Sequence, residues 1–129
     1  MPRFDRTRSL SAVLAFALLA SAGMSNAHES KPPAKYGGYV VEADEIFFEI
    51  VSRPAQLLIY VEDDGKPVDT SHISGTLTYQ VDGLRRDSVL KPGGFNLLHA
   101  DLSRPPRGAP LSVVVVNGAQ RIAFTYVAR

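Results

Sequence analysis

From Tyr39 to the last residue, short segments rich in branched and aromatic residues alternate with turn-forming residues, and this alternation most limits the possible folds. Asp82-Gly83 and Asn117-Gly118 are typical of tight hairpin turns, whose central positions favour positive φ. Apolar and polar residues alternate between the turns, for example with Leu77 and Tyr79 on one face, which indicates strands with one buried side. No stretch after residue 27 shows a convincing helical period. The sequence therefore predicts an all-β, antiparallel protein.

The spacing of the turns predicts seven or eight short strands. We expect them at Tyr39–Glu42, Glu45–Ser52, Gln56–Val61, Gly75–Val81, Leu84–Leu90, Phe95–Leu102, Leu111–Val116 and Arg121–Val127. This number and spacing predict a small antiparallel two-sheet sandwich of immunoglobulin-like architecture. A small closed barrel is the alternative. The glycine pair at residues 93–94 follows a proline and predicts a break in the chain, and the four valines of residues 113–116 predict a strand buried on both faces.

The first 27 residues have the features of a secretory signal peptide. Three arginines within residues 1–8 precede an apolar run over residues 10–20, and small residues follow up to Ala27. Such segments direct export and are then cleaved. The apolar run is also shorter than the roughly 18–20 residues needed to span a bilayer. We predict cleavage after Ala27, with residues 20–22 as a second possible site, and a periplasmic mature protein without a stable membrane anchor.

The predicted mature chain has two parts. Residues 28–38 are polar and include a proline pair, which favours a flexible or polyproline-like arm, and residues 39–129 form the β domain. Because cleavage removes three arginines and one aspartate, the mature chain is close to neutral and offers no electrostatic reason to bind nucleic acid. The chain contains no cysteine, which excludes disulfide bonds, thiol catalysis and thiolate metal sites.

The sequence lacks the signatures of nucleophilic catalysis. A nucleophile needs a base within hydrogen-bonding reach, and motifs such as G-x-S-x-G do not occur. Ser71 and His72 are adjacent, but neighbouring side chains of an extended loop point apart. We therefore predict a protein that is not an enzyme.

Two groups of residues could bind a metal ion, an acidic cluster and the histidines. The acidic cluster consists of Glu62, Asp63 and Asp64, with Asp69 beyond the turn, and its carboxylate oxygens could bind a hard cation. The spacing of a calcium-binding loop is missing, so a solvated turn is the favoured interpretation.

The three histidines, His28, His72 and His99, all lie in the predicted mature chain. After cleavage, His28 would offer its free α-amine and its imidazole to one ion, a chelate suited to copper, and His72 and His99 are the available additional donors. We predict His28, His72 and His99 as candidate ligands of copper or another divalent transition metal. A surface position without a ligand is the alternative for each of them.

Several segments resemble a known family. They are K-Y-G-G-Y-V-V-E-A at Lys35–Ala43, F-E-I-V at Phe48–Val51, the D-x-G-K-P-V-D turn within Leu58–Asp69, S-G-T-L-T at Ser74–Thr78, and L-K-P-G-G-x-N-x-L beginning at Leu90. In this order they resemble small bacterial periplasmic proteins associated with heavy-metal efflux systems, and the similar N-terminal modules of metal-efflux membrane-fusion proteins. The resemblance implies a histidine before the paired glycines and often another in the aspartate-rich turn. Tyr36 and Asp64 occupy those positions here, so no ligand is transferred to them.

The resemblance and the histidines together predict a periplasmic, non-enzymatic accessory protein in transition-metal handling or efflux, with an efflux or other envelope protein as partner. A metal-free interaction module that docks an envelope protein is the first alternative. A copper carrier of the CopC type is the second, although the predicted mature chain contains no methionine.

Overall fold

The computed structural model describes residues 31–103 and 105–129. The predicted signal peptide and His28 lie outside these residues. The described part of the chain contains nine strands and no helix. The strands are β1 Tyr39–Ala43, β2 Ile46–Arg53, β3 Gln56–Asp63, β4 Lys66–Pro67, β5 Ile73–Val81, β6 Leu84–Gly94, β7 Leu97–Asp101, β8 Pro110–Asn117 and β9 Gln120–Val127. The two-residue β4, which is not among the predicted strands, pairs only with β3.

All strands belong to one antiparallel sheet with the order β1-β2-β3-β7-β6-β5-β8-β9. Strand β6 joins its two halves, because its first part pairs with β5 and its last part, from Lys91, pairs with β7. The register shifts between Pro92 and Gly94, so the predicted break is instead a bulge within a strand. Such bulges bend a strand and increase its twist.

The bend brings the two ends of the sheet close together. Strands β1 and β9 approach each other, and the rings of Tyr39 and Tyr126 lie 5.8 Å apart between centroids. The sheet is therefore nearly barrel-shaped. The prediction of an all-β antiparallel protein is confirmed, whereas a two-sheet immunoglobulin-like sandwich is not confirmed, because β6 continues through both halves of the sheet.

The interior of the curled sheet is filled by alternate residues of the strands. Leu77 and Tyr79 of β5 are buried as predicted, and Phe48 of β2 meets Phe124 of β9 across the core with ring centroids 4.7 Å apart. The prediction that β8 is buried on both faces is wrong. Only its alternate residues are fully buried, and Val114 between them is half-buried on the outside. A curled sheet has a single interior, so its strands bury one face.

Candidate functional site

Two glutamates of neighbouring strands are buried on the outer face of the sheet. Glu49 of β2 and Glu62 of β3 are each only 7 % exposed. Glu49 lies between the inward-facing residues Phe48 and Ile50, and its cross-strand neighbour is Tyr60. Buried carboxylates need hydrogen-bond partners to offset the loss of hydration. Both glutamates find their partners in the segment Lys35–Gly38, which crosses this face.

Glu49 accepts hydrogen bonds from three backbone N–H groups of that segment. Its Oε1 lies 2.6 Å from the nitrogen of Lys35, and its Oε2 lies 2.7 Å from that of Tyr36 and 3.1 Å from that of Gly38. Hydrogen bonds to an ionised acceptor are stronger than neutral ones. One carboxylate therefore fixes the path of four consecutive residues.

Glu62 forms an ion pair with the side chain of Lys35. The distance from Lys35 Nζ to Glu62 Oε1 is 2.6 Å. The hydrogen bond to Glu62 raises the pKa of Lys35 above its ordinary value, and partial desolvation offsets some of this rise. Because the pKa of Lys35 is raised on folding, its contribution to stability is fully present below the unfolded pKa of lysine and is lost as the pH rises through the folded pKa.

The remaining residues of the K-Y-G-G motif complete the attachment. The ring of Tyr36 stacks on that of Tyr60, with centroids 3.6 Å apart and planes 9° from parallel. Gly37 has a φ of +73°, which favours glycine. A Cβ atom on Gly38 would collide with the carbonyl oxygen of Ile50, so only glycine fits there. We call this arrangement, Lys35–Gly38 held by Glu49, Tyr60 and Glu62, the N-terminal clamp.

The clamp changes two expectations from the sequence, one for the N-terminal arm and one for the acidic cluster. The flexible arm was expected to extend through Gly38, but Lys35–Gly38 is hydrogen bonded to the sheet. The acidic cluster was expected to be a solvated turn. Asp63 and Asp64 are exposed as expected, whereas Glu62 is buried and paired. A glutamate within each of two apolar strand segments was the available sequence signal for buried, partnered carboxylates.

His99 lies half-buried on the same outer face as the clamp. Its Nδ1 is 3.2 Å from Gln56 Nε2, and a Cβ atom on Gly93 would lie 2.6 Å from its ring. The ring is thus held between an amide and a glycine backbone. Because an amide nitrogen can only donate, Nδ1 accepts this hydrogen bond and the proton of the neutral ring lies on Nε2. Metal binding through Nε2 therefore requires the Gln56 amide to turn, so that its oxygen accepts a hydrogen bond from Nδ1 as it does around metal-binding histidines.

Of the three predicted metal ligands, the structure describes His72 and His99. His72 is exposed in the loop before β5, next to a turn in which Asp69 accepts a hydrogen bond from the backbone of Ser71. That hydrogen bond lowers the pKa of Asp69. No group of three or more histidine, aspartate or glutamate side chains placed to hold a metal ion occurs within residues 31–103 and 105–129. A site that includes His28 extends beyond the described residues.

Comparison with protein-family models, with curated proteins and with solved structures found no match to this chain. Within the part of the chain that the structure describes, no helix is long and apolar enough to cross a membrane.

Proposed function

We propose that this protein is a periplasmic, non-enzymatic accessory in the handling or efflux of a transition metal, most suitably copper. The metal ion is held by His28, at the start of the mature chain, together with His99 on the outer face of the sheet. The observation that supports this pairing is that the N-terminal clamp attaches the arm on the same face as His99. The sequence resemblance described above supports the biological setting.

The register of the strands gives the distance that the arm must cover. Glu49 of β2 is opposite Tyr60 of β3, which is opposite Leu97 of β7, and His99 follows two residues later on the same side. With a strand spacing of about 4.8 Å and a rise of about 3.4 Å per residue, the backbones of Glu49 and His99 are about 12 Å apart.

The arm is long enough for this distance. Seven peptide steps separate His28 from Lys35, the first clamped residue. At about 3.3 Å per residue, an extended chain of that length reaches roughly 23 Å. In the structure this part of the arm lies toward β1, with Lys31 Nζ 5.7 Å from the centroid of the Tyr39 ring and Pro32 and Pro33 in one cavity lining with Val40 and Phe47. His28 meets His99 when residues 31–34 leave β1 and turn toward β7 while Lys35 stays clamped. The α-amine and imidazole of His28, with the imidazole of His99, then supply three nitrogen ligands, which suit Cu(II).

Copper titration of the chain beginning at His28 tests this proposal, with the N-terminus verified by mass spectrometry. We expect one equivalent of Cu(II) bound, at least tenfold weaker binding in His99→Gln, and loss of tight binding when one residue is added before His28. His72→Gln is the matched control and should change the affinity less than twofold. Copper binding by the native chain that equals that of a short peptide beginning with the same arm would contradict the proposal.

A metal-free interaction module is the second candidate, and a specific surface favours it. On the half of the sheet formed by β6, β5, β8 and β9, the outer side is not covered by the arm. Val89, Thr76, Val114 and Ala123 form a continuous row of uncharged side chains across these four strands. Val89 is 59 % exposed. A photoreactive residue at Thr76 that captures one envelope protein in cells, when the same residue at Glu42 does not, would support this reading.

A further inference from the structure

We propose that the end of the barrel opposite the acidic turns binds a small organic anion, one that carries a carboxylate or phosphate next to an apolar group about the size of one ring. A cavity of about 140 Å³ at this end is lined by Arg53, Arg107 and Arg129. Its apolar lining includes Leu102, Leu111 and Pro54. No acidic side chain lines it among the described residues.

The three arginines come from distant parts of the sequence. Arg53 ends β2, Arg107 lies in the loop between β7 and β8, and Arg129 follows β9. Backbone hydrogen bonds hold these segments together. The backbone N–H of Gly108 donates to the carbonyl oxygen of Ala128 at 2.8 Å, and the backbone N–H of Ala128 donates to the carbonyl oxygen of Ala109 at 2.9 Å. The positions of Arg107 and Arg129 are thus fixed relative to each other by the backbone.

Among the residues that the structure describes, none of the three arginines forms an ion pair with an acidic side chain. The ion pairs within the described residues, Lys35–Glu62 and Arg85–Asp87, do not include any of the three. The guanidinium of Arg129 lies over the ring of Tyr39, with Cζ 4.1 Å from the centroid. This contact positions the guanidinium and leaves its hydrogen-bond donors available, because the ring is contacted through a planar face.

The distribution of charge over the molecule favours an anion at this end. Asp44 and Glu45 of the β1–β2 turn, and Asp63 and Asp64 at the β3–β4 turn, lie at the opposite end of the strands. Asp82, Asp87 and Asp101 lie toward the arginine end as well, but Arg85 and Arg86 offset two of these three charges. With the three arginines of the cavity, this end is the more positive one. Long-range fields of this kind increase the rate at which charged ligands of the complementary sign arrive.

The cavity also has a place for an apolar group. Leu102 and Leu111 are 7 % and 1 % exposed, so they form a closed apolar floor beneath the exposed arginines. A cavity of roughly 150 Å³ holds one benzene ring. Guanidinium groups bind carboxylate and phosphate oxygens through paired N–H donors. An aryl phosphate or aryl carboxylate combines both features.

The test is an NMR titration of the protein with phenyl phosphate at low ionic strength. We expect the largest amide shifts at residues 52, 53, 55, 107–109 and 128. Benzyl alcohol, which has the ring without the charge, should bind at least tenfold more weakly than phenyl phosphate. Inorganic phosphate, which has the charge without the ring, should bind at least threefold more weakly than phenyl phosphate. Equal binding of inorganic phosphate would refute the apolar part of the site.

Paired variants separate this site from general attraction to positive charge. The double variant Arg53→Gln/Arg107→Gln should weaken phenyl phosphate binding at least tenfold, with an unchanged circular dichroism spectrum. The control Arg85→Gln/Arg86→Gln removes the same charge from the exposed start of β6 and should change the affinity less than twofold. Equal losses in both double variants, or undiminished binding in the first, would overturn the proposal. Neither result depends on copper binding at His28.

Discussion

Replacement of Glu49 by alanine should release the N-terminal clamp. The substitution removes the acceptor of three backbone N–H groups, those of Lys35, Tyr36 and Gly38. If the segment stayed in place, three donors would be left without partners, at a cost of about 1–3 kcal/mol each. The segment will detach instead, because water can then hydrate these groups.

The cost of detachment can be worked out from the contacts that are lost. Three hydrogen bonds to a charged acceptor contribute about 1.5–3 kcal/mol each, and the stacked tyrosines about 0.5–1.5 kcal/mol. Freeing the backbone of four residues returns about 1–2 kcal/mol per residue. The difference leaves a net loss of about 2 kcal/mol. For a domain of about 100 residues this lowers the midpoint of thermal unfolding by roughly 8–16 °C.

Two measurements check this prediction. Thermal unfolding gives the change in stability, and amide hydrogen exchange reports whether Lys35, Tyr36 and Gly38 lose their protection. Glu42→Ala is the matched control, because Glu42 is an exposed glutamate of the neighbouring strand β1. An alanine variant at Glu49 within 0.5 kcal/mol of the parent, with unchanged exchange, would refute the reasoning. A stability loss without faster exchange at the clamp would place the role of Glu49 elsewhere in the fold.

Three further predictions concern packing and pH. Gly38→Ala should lower thermal stability and speed up hydrogen exchange at the clamp, because the added Cβ collides with the carbonyl oxygen of Ile50. Unchanged exchange would contradict this. Leu98→Ala should lower the free energy of unfolding in urea by about 2–5 kcal/mol, because Leu98 is fully buried. The control Leu84→Ala should have little effect, because Leu84 is 61 % exposed. Equal effects of the two substitutions would refute the assigned core. Hydrogen bonds from Thr78 and then Arg85 lower the pKa of Asp87, so its contribution to stability is present above the unfolded pKa and is lost as the pH falls through the folded pKa. Asp87→Asn should therefore be less stable than the parent at pH 7 and equally stable in acid. A difference in stability that persists at pH 2 would contradict this.

The sequence alone was sufficient to predict eight of the nine strands, but not the two-residue β4 or the continuation of β6 to Gly94. Alternation of apolar and polar residues in segments such as Gly75–Val81 predicts strands and their buried faces, because strand periodicity is local. The turn at Asp82-Gly83 was predicted for the same reason, and both residues have positive φ in the structure. The K-Y-G-G motif was noticed from the sequence, but only as part of a resemblance.

The tertiary structure decided how the strands are joined and which side chains meet. Nothing local distinguishes a break at Pro92 from a bulge that carries β6 from one half of the sheet to the other, since the difference depends on the partners β5 and β7. The partners of Glu49 are 11 to 14 residues away, and the three arginines of the cavity come from separate segments. The sequence determined which residues form strands, and long-range pairing determined the clamp and the cavity, because those contacts exist only after the sheet has curled.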